Sequence, residues 1–382
     1  VVTDPTEGSI RNGVTEWLQS RNSGGFFGKE LFLDFSAEVN MTAPINPAGT
    51  GQFRNPHIRG RDKEVTVLKW GRTDLPLFGA GGGFSTWRNW RIQDLGLTSP
   101  VALPADELPV AFLLDSSNSG TYANQDGLFH TISFDGAWAA GFKFIGTKTT
   151  ANLNSEVGFG RPHAKNKASF RDGMFLIGGQ PGVLEQNQFL NYHIWDSKCE
   201  MSHGIILNVQ YGGNVVLDGF NSWMFTGDSN GGVPKGTMIL LGPGSKWQAG
   251  PILKVYALRP EVRGNEVVML DSSWGTTGVI YIAPGYDDSA QHYKKSDGTW
   301  KVNDMPLWKL RGTARVVLDT ITTGGHIETY ADARIDLRNV VTIGEAATNS
   351  PVSGTPVSGA STKGFVRQVS GNAPKLQYRS WT

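Results

Sequence analysis

The stretch GGNVVLDGFNSW, residues 212–223, sets a short apolar run between glycine and asparagine, with a tryptophan after the bend. Close variants recur as GNEVVMLDSSW (264–274) and TARVVLDTI (313–321), which places Val215, Val267 and Val316 at near-equal spacing. Self-similarity at a near-constant period is the mark of a repeat architecture. With coils of roughly 20–30 residues, each interval holds about two of them.

The rest of the chain fits this reading. Of 382 residues 49 are glycine, and these punctuate short apolar runs as many tight turns between short strands require. Such runs include EVTVLKW, WRIQDLGL, VAFLLD, LFHTISF, FKFIG, MFLIG, GIILNVQY, TMILLG, ILKVYAL, GVIYIA and ARIDLRNVVTIG. One segment alone reads as helix, with Ile10, Val14, Trp17 and Leu18 on a single face before a stop at 22–25. KELFLDFSAEVNMTAPI follows as an alternating strand, with Leu31, Leu33 and Phe35 on one side and Phe32 and Asp34 on the other.

Charge and cysteine content exclude several classes. A net charge of +1 gives no basic surface for nucleic acid. The single Cys199 rules out an intramolecular disulfide framework and a structural zinc site. No apolar run of about 18 residues is present to span a membrane as a helix. The start at VVTDPTEG, without methionine or signal peptide, reads as a processed product or a piece of something longer. With 12 tryptophans and 19 phenylalanines, there are rings for a core and rings left over for a surface.

The expected fold is therefore all-β: a right-handed parallel β-helix (solenoid) with a short N-terminal capping helix and an extended C-terminal tail. Inward side chains of successive coils form apolar columns, and Gly, Asn and Asp serve the corners because they tolerate positive φ. A β-sandwich fits less well, since two-residue Asn-Gly or Asp-Gly turns between matched strands are scarce. The expected segments are a cap at 1–30, the β-helix at 31–345, a Pro/Ser/Gly-rich linker at 346–364 and a docking segment at 365–382. The linker repeats PVSG, and the docking segment regains apolar character at Phe365, Val366, Leu376, Tyr378 and Trp381.

The opening TDPTEGSIRNGVTEWLQSRNSGGFFGKELFLDFSAEVNMTAPI resembles the first segment of pectate-lyase-like and phage-tailspike-type β-helix proteins. There an acidic, threonine-bearing stretch leads into a short helix, a glycine-rich turn and a strand; here Leu31, Phe32 and Leu33 fill the strand, and Phe35-Ser36 stand where the family has Pro-Gly. NPHIRGRDKEVTVLKW is similar to the next family coil, with Ile58, Gly60, Thr66 and Trp70 in place. The motif resemblance covers residues 3–70, and coil style extends it to about 345. It implies the fold, a trimeric state and a place on a virion tail among other tail proteins, and it leaves the chemistry open, because the scaffold serves lyases, hydrolases and pure adhesins alike.

Motifs of catalysis are missing. GAGGGF (79–84) lacks the last glycine of a dinucleotide loop, and no G-x-S-x-G, H-E-x-x-H or phosphate-loop pattern occurs. No cofactor and no metal site is expected, since acidic turns such as those at 228 and 286 are common without a cation. A long solenoid face suits a long carbohydrate, and hydrolysis needs two carboxyls about 5–9.5 Å apart. Asp196, Glu200 and Asp218 are the candidate catalytic carboxylates, with His193 and His203 nearby and Trp195 and Trp223 as rings to stack on sugars. A lyase needs a base and a cation instead, for which Arg161, His163, Lys165, Lys167 and Arg171 are candidates, Arg171 also as a substrate-binding residue. Each has a plainer reading: Asp218 before glycine as a turn cap, Asp196 paired with Lys198, Trp195 in the core, the basic run as a solvated loop.

Three functions follow as expectations. The first is an extracellular tailspike or receptor-binding virion protein that recognises bacterial surface polysaccharide and cleaves it if the carboxylates face one another. The second is a secreted polysaccharide lyase or glycoside hydrolase. The third is a structural subunit of a virion or filament, joined to neighbours through its tail.

Overall fold

The computed structural model describes residues 1–258 with side chains, apart from 46–50, 81–85, 102–105, 117–123, 147–153, 166–167, 179–189, 227–235, 243–250 and 256–257; elsewhere it describes backbone in strands alone. The chain is predominantly β, with one helix, and its strands pair in parallel within stacked sheets.

Helix α1 (Glu7–Gln19) begins at Thr6, whose extended backbone lets its hydroxyl accept the Ser9 N–H at 3.2 Å. Ile10, Val14 and Trp17 are buried on the expected face, and Leu18 packs beside them. Trp17 stacks on Phe27 at 4.3 Å and meets Phe53 edge-on at 6.4 Å. The Glu7 carboxylate fastens the helix to the following strand by accepting the Thr42 N–H at 2.7 Å and the Ala43 N–H at 3.1 Å. Val2 pairs with Leu33 along the free side of strand Leu31–Leu33, its N–H donating to Phe32 and its carbonyl accepting from Asp34. The first strand's edge thus gains a partner, and an edge with unpaired backbone groups is otherwise an aggregation template.

From there strands of the larger and of the smaller sheet follow one another along the chain, and register partners line up across successive parallel pairs. In the larger sheet one column of register partners runs Leu31, Ile58, Ile92, Phe129, Phe159, Ile194, Leu217, Val255, Ile282, Leu318, Leu337 and Tyr378. A second column in that sheet runs Val39, Leu68, Leu97, Phe134, Ala164, Cys199, Trp223 and Pro260. The smaller sheet carries Phe78, Phe112, Phe142, Phe175, Leu207, Ile239, Leu270 and Trp308 in the same manner. Parallel strands about 4.8 Å apart put like side chains in contact. The four phenylalanines accordingly stack face to face at 4.7, 5.2 and 5.4 Å.

Between strands the chain turns at left-handed residues that line up with the register of the paired strands. One corner uses Asn55, Asn89, Asp126, Glu156 and Asn191, with φ between 51° and 59°. The next uses Asp94, Thr131, Arg161, Asp196 and Gly219. Corner amides still join the ladder, as Asn55 N–H donates to Arg88 at 2.9 Å and Asn89 N–H to Gln125 at 3.0 Å. Buried polar groups are tied to backbone: Thr66 accepts from Arg61 N–H at 2.9 Å and donates to Phe35 at 2.8 Å. Asn154 donates to both Leu114 and Ile145 across the core.

The repeat at Val215, Val267 and Val316 is corrected in one respect. Val215 and Val316 share a column, separated by Leu253 and Ile280, whereas Val267 lies in the smaller sheet beside Gly236. The near-equal spacing therefore does not mark a single column. The linker at 346–364 lies outside the described residues, while Val366–Ser370 and Lys375–Tyr378 pair in parallel with His326–Tyr330 and Arg334–Arg338.

Candidate functional site

Strand Tyr192–Trp195 puts Tyr192 and Ile194 into the core and His193 and Trp195 outside. Its neighbour on one side carries glycine opposite both outer positions, since Gly158 pairs with His193 and Gly160 with Trp195. These glycines make room for a flat ring. A Cβ at Gly158 would stand 2.9 Å from the Trp195 indole, and one at Gly160 2.7 Å from it and 2.5 Å from His130. The indole therefore lies down on the sheet, half-buried, with His193 at 5.1 Å between ring centroids.

The neighbour on the other side supplies Asp218 opposite Trp195. Its Oδ1 accepts the Gly219 N–H at 2.7 Å, and its Oδ2 lies 3.5 Å from His193 Nε2. Asp196 turns the corner after Trp195 with φ 52° and accepts the Phe220 N–H at 2.9 Å, while Arg161 approaches at 4.0 Å. Phe220 is 57% exposed. Glu200 pairs with Lys198 at 2.9 Å in the strand beyond the corner. His193, Trp195, Asp196, Asp218 and Phe220 thus form one exposed patch, and all three candidate carboxylates already hold a local partner.

Other candidates lie elsewhere. Trp223 is fully buried, and its indole N–H donates to Ser197 at 2.8 Å; the expectation of a sugar-stacking ring there is corrected. The reversal arises at the Asp218–Asn221 corner, where Asn221 accepts from Ser197 and donates to Asp218, turning the next strand's Trp223 inward. His203 stands in the smaller sheet beside Ser169, as does Arg171, which is clasped by Asp172 at 2.8 and 3.0 Å and donates to the Asp106 carbonyl.

Of the basic run, Lys167 and the acidic turns at 228 and 286 lie outside the described residues. His163 accepts Lys63 Nζ at 3.0 Å, and Lys165 pairs with Glu64 at 2.8 Å. Burial first, then Lys63 and Lys198, push the His163 imidazole down to about 4. Lys63 and Glu64 carried no sequence signal, because they come 100 residues before His163. Phe220 and the glycine pair carried no signal of their own in the sequence, because their roles depend on the strands beside them.

No family model, no curated protein and no solved structure matches the chain.

Proposed function

We propose that the stacked parallel sheets form a single right-handed β-helix of the tailspike type, and that the protein recognises bacterial surface polysaccharide through the outer face around Trp195. The aligned apolar columns and left-handed corners support the solenoid reading, since each circuit buries its side chains only against its neighbours. The observation that carries the binding reading is the indole laid flat over Gly158 and Gly160, flanked by His193 and Asp218. An exposed aromatic face beside polar groups matches a sugar ring, which is apolar on its faces and hydroxylated at its edge. One such patch binds weakly, and a trimer on an extracellular virion tail gains strength through multivalency.

Binding without cleavage is the better-supported form. Asp196, Glu200 and Asp218 each hold a turn or a cation. For elimination, an imidazole pushed down to about 4 is a weak base at neutral pH.

The test has two parts: light scattering after size exclusion, then binding to purified bacterial capsular and O-chain polysaccharides by the native chain and by Trp195→Ala. A discrete trimer whose polysaccharide binding falls at least about tenfold in the variant is expected, a loss of roughly 1.4 kcal/mol per site. Equal binding by both proteins overturns the site. Open-ended polymers would instead favour the structural-subunit reading.

A further inference from the structure

Cations without a carboxylate partner are not spread evenly over the molecule. Among the described residues most lysines and arginines form an ion pair, as Arg59 does with Glu30, Lys69 with Glu38 and Arg72 with Asp74. Of those that form none, Lys143 lies in the smaller sheet and Lys254 far along the larger one. All the others, Arg21, Lys29, Arg54, Arg88 and Arg91, gather around the corner at Asn55 and Asn89.

Parallel pairing brings them together. Arg54 and Arg88 are direct register partners, each flanking a residue, Phe53 or Trp87, that is buried in the core. Like charges set side by side repel. The Arg54 guanidinium donates to Gln52 at 2.8 Å and lies 5.0 Å from the Phe26 ring centroid, while Arg88 Nε is buried without a hydrogen-bond partner among the described residues. The segment at 26–27 bridges to Arg54 on one side and to Arg21 on the other, which adds a third arginine to the same edge. Past the corner, Lys29 and Arg91 line an open cleft of about 580 Å³ with Phe27 and Leu128 in its wall.

Carboxylates do little to balance this charge. Glu30 lines the cleft but already accepts from Arg59 at 2.8 and 3.3 Å. Asp126 is exposed at a left-handed corner with φ 59°. His57 adds no charge at neutral pH, because burial pushes its imidazole down. Asn55 and Asn89 are exposed at φ 55° and 51°, and their side chains have no hydrogen-bond partner among the described residues.

We infer that this corner docks an extended acidic segment of a partner protein, its carboxylates held by Arg54, Arg88, Lys29 and Arg91 and its backbone by Asn55, Asn89 and Asp126. Arginine suits the first task, since its planar fork meets a carboxylate through two parallel N–H···O bonds. The mixed lining suits a peptide. Each peptide unit supplies a donor and an acceptor, so either asparagine can pair with it and Asp126 can accept an N–H. A polyphosphate chain offers acceptors alone and sets like charge against Asp126. A flat anionic bilayer meets the rim of a concave cleft and not its lining. The corner shares no residue with the Trp195 patch and does not depend on the carbohydrate reading.

The test is calorimetric titration of the native chain with a short peptide alternating glutamate and glycine, with its glutamine counterpart, with inorganic polyphosphate and with phosphatidylglycerol vesicles. The acidic peptide is expected to bind, more weakly as salt rises, and the glutamine peptide not to bind. Arg91→Gln, at an exposed position, should weaken the acidic peptide about tenfold, as loss of one charge-assisted hydrogen bond predicts. Lys143→Gln and Trp195→Ala should leave it unchanged, which separates the corner from attraction to any cation and from the other patch. No binding of the acidic peptide, equal binding of the glutamine peptide, an unchanged Arg91→Gln or an equal loss in Lys143→Gln overturns the inference. Tighter binding of polyphosphate or of the vesicles than of the acidic peptide overturns it too, in favour of a phosphate-bearing partner.

Discussion

Arg161 and Asp196 hold equivalent corner positions after the paired residues Gly160 and Trp195, at φ 52° each, yet only one has a residue type suited to it. The left-handed region crowds Cβ against the carbonyl and costs about 1–2 kcal/mol for an ordinary residue, less for Asn and Asp, whose side chains bond locally. Asp196 recovers part of that by accepting the Phe220 N–H. Among the described residues the Arg161 side chain has a single exposed ion-pair contact at 4.0 Å, a type of pair worth about 0–1 kcal/mol and screened by salt. Arg161→Asn should therefore raise stability by about 0.5–1 kcal/mol at high salt. The check is chemical denaturation, with the midpoint shifted up and the slope unchanged. A lowered midpoint would mean that the guanidinium does more than this single contact.

Among the elements, the phenylalanine column of the smaller sheet gives the sharpest case. Phe142 is sandwiched between Phe112 and Phe175 and meets Phe129, Phe134 and Phe159 from the larger sheet. Truncation there removes contacts on every side, and parallel neighbours pinned by their own ladders collapse little into the gap. Phe142→Ala should cost about 3–5 kcal/mol, whereas Phe142→Leu should cost clearly less because most of the volume stays. Thermal melting of the two variants distinguishes this column from a loosely packed one, in which both would fall by similar small amounts.

At the scale of the whole molecule, the loop that carries Lys63 reaches strands about 70 and 100 residues further along the chain. Its carbonyl at Lys63 accepts from Ser133, its ammonium meets His163, and its Glu64 meets Lys165. The His163 imidazole faces Lys63, Lys198, Glu64 and Glu200, and it sits at about 4 against 6.5 when free. A depressed histidine binds fewer protons folded than unfolded, so stability rises with pH across the interval between the two values. Unfolding free energy should thus decline as pH falls from about 6.5 towards 4. His163→Gln, which can still accept from Lys63, should flatten the part of that decline above pH 5, where the carboxylates remain charged. Denaturant titrations at a series of pH values measure it; an unchanged slope in the variant would place the acid sensitivity elsewhere.

Local pattern settled much of this protein in advance. The helix face at Ile10, Val14 and Trp17 and the inward Leu31, Leu33 and Phe35 follow from periodicity over a few residues. The demand for Asn and Asp at corners is likewise a property of single residues, visible at Asn55, Asn89 and Asp126. Register was not written there. Corner-to-corner distances vary along the chain, so the valines at 215, 267 and 316 looked like one column when the middle one belongs to another sheet. Trp195 and Trp223 carried the same signal in the sequence, and two distant glycines laid one on the surface while a hydrogen-bonded corner turned the other inward. Lys63 met His163 only because parallel stacking brings together segments 100 residues apart. Short-range preference is encoded residue by residue, but which strand lies beside which, and so which side chains meet, is decided only when the sheets assemble.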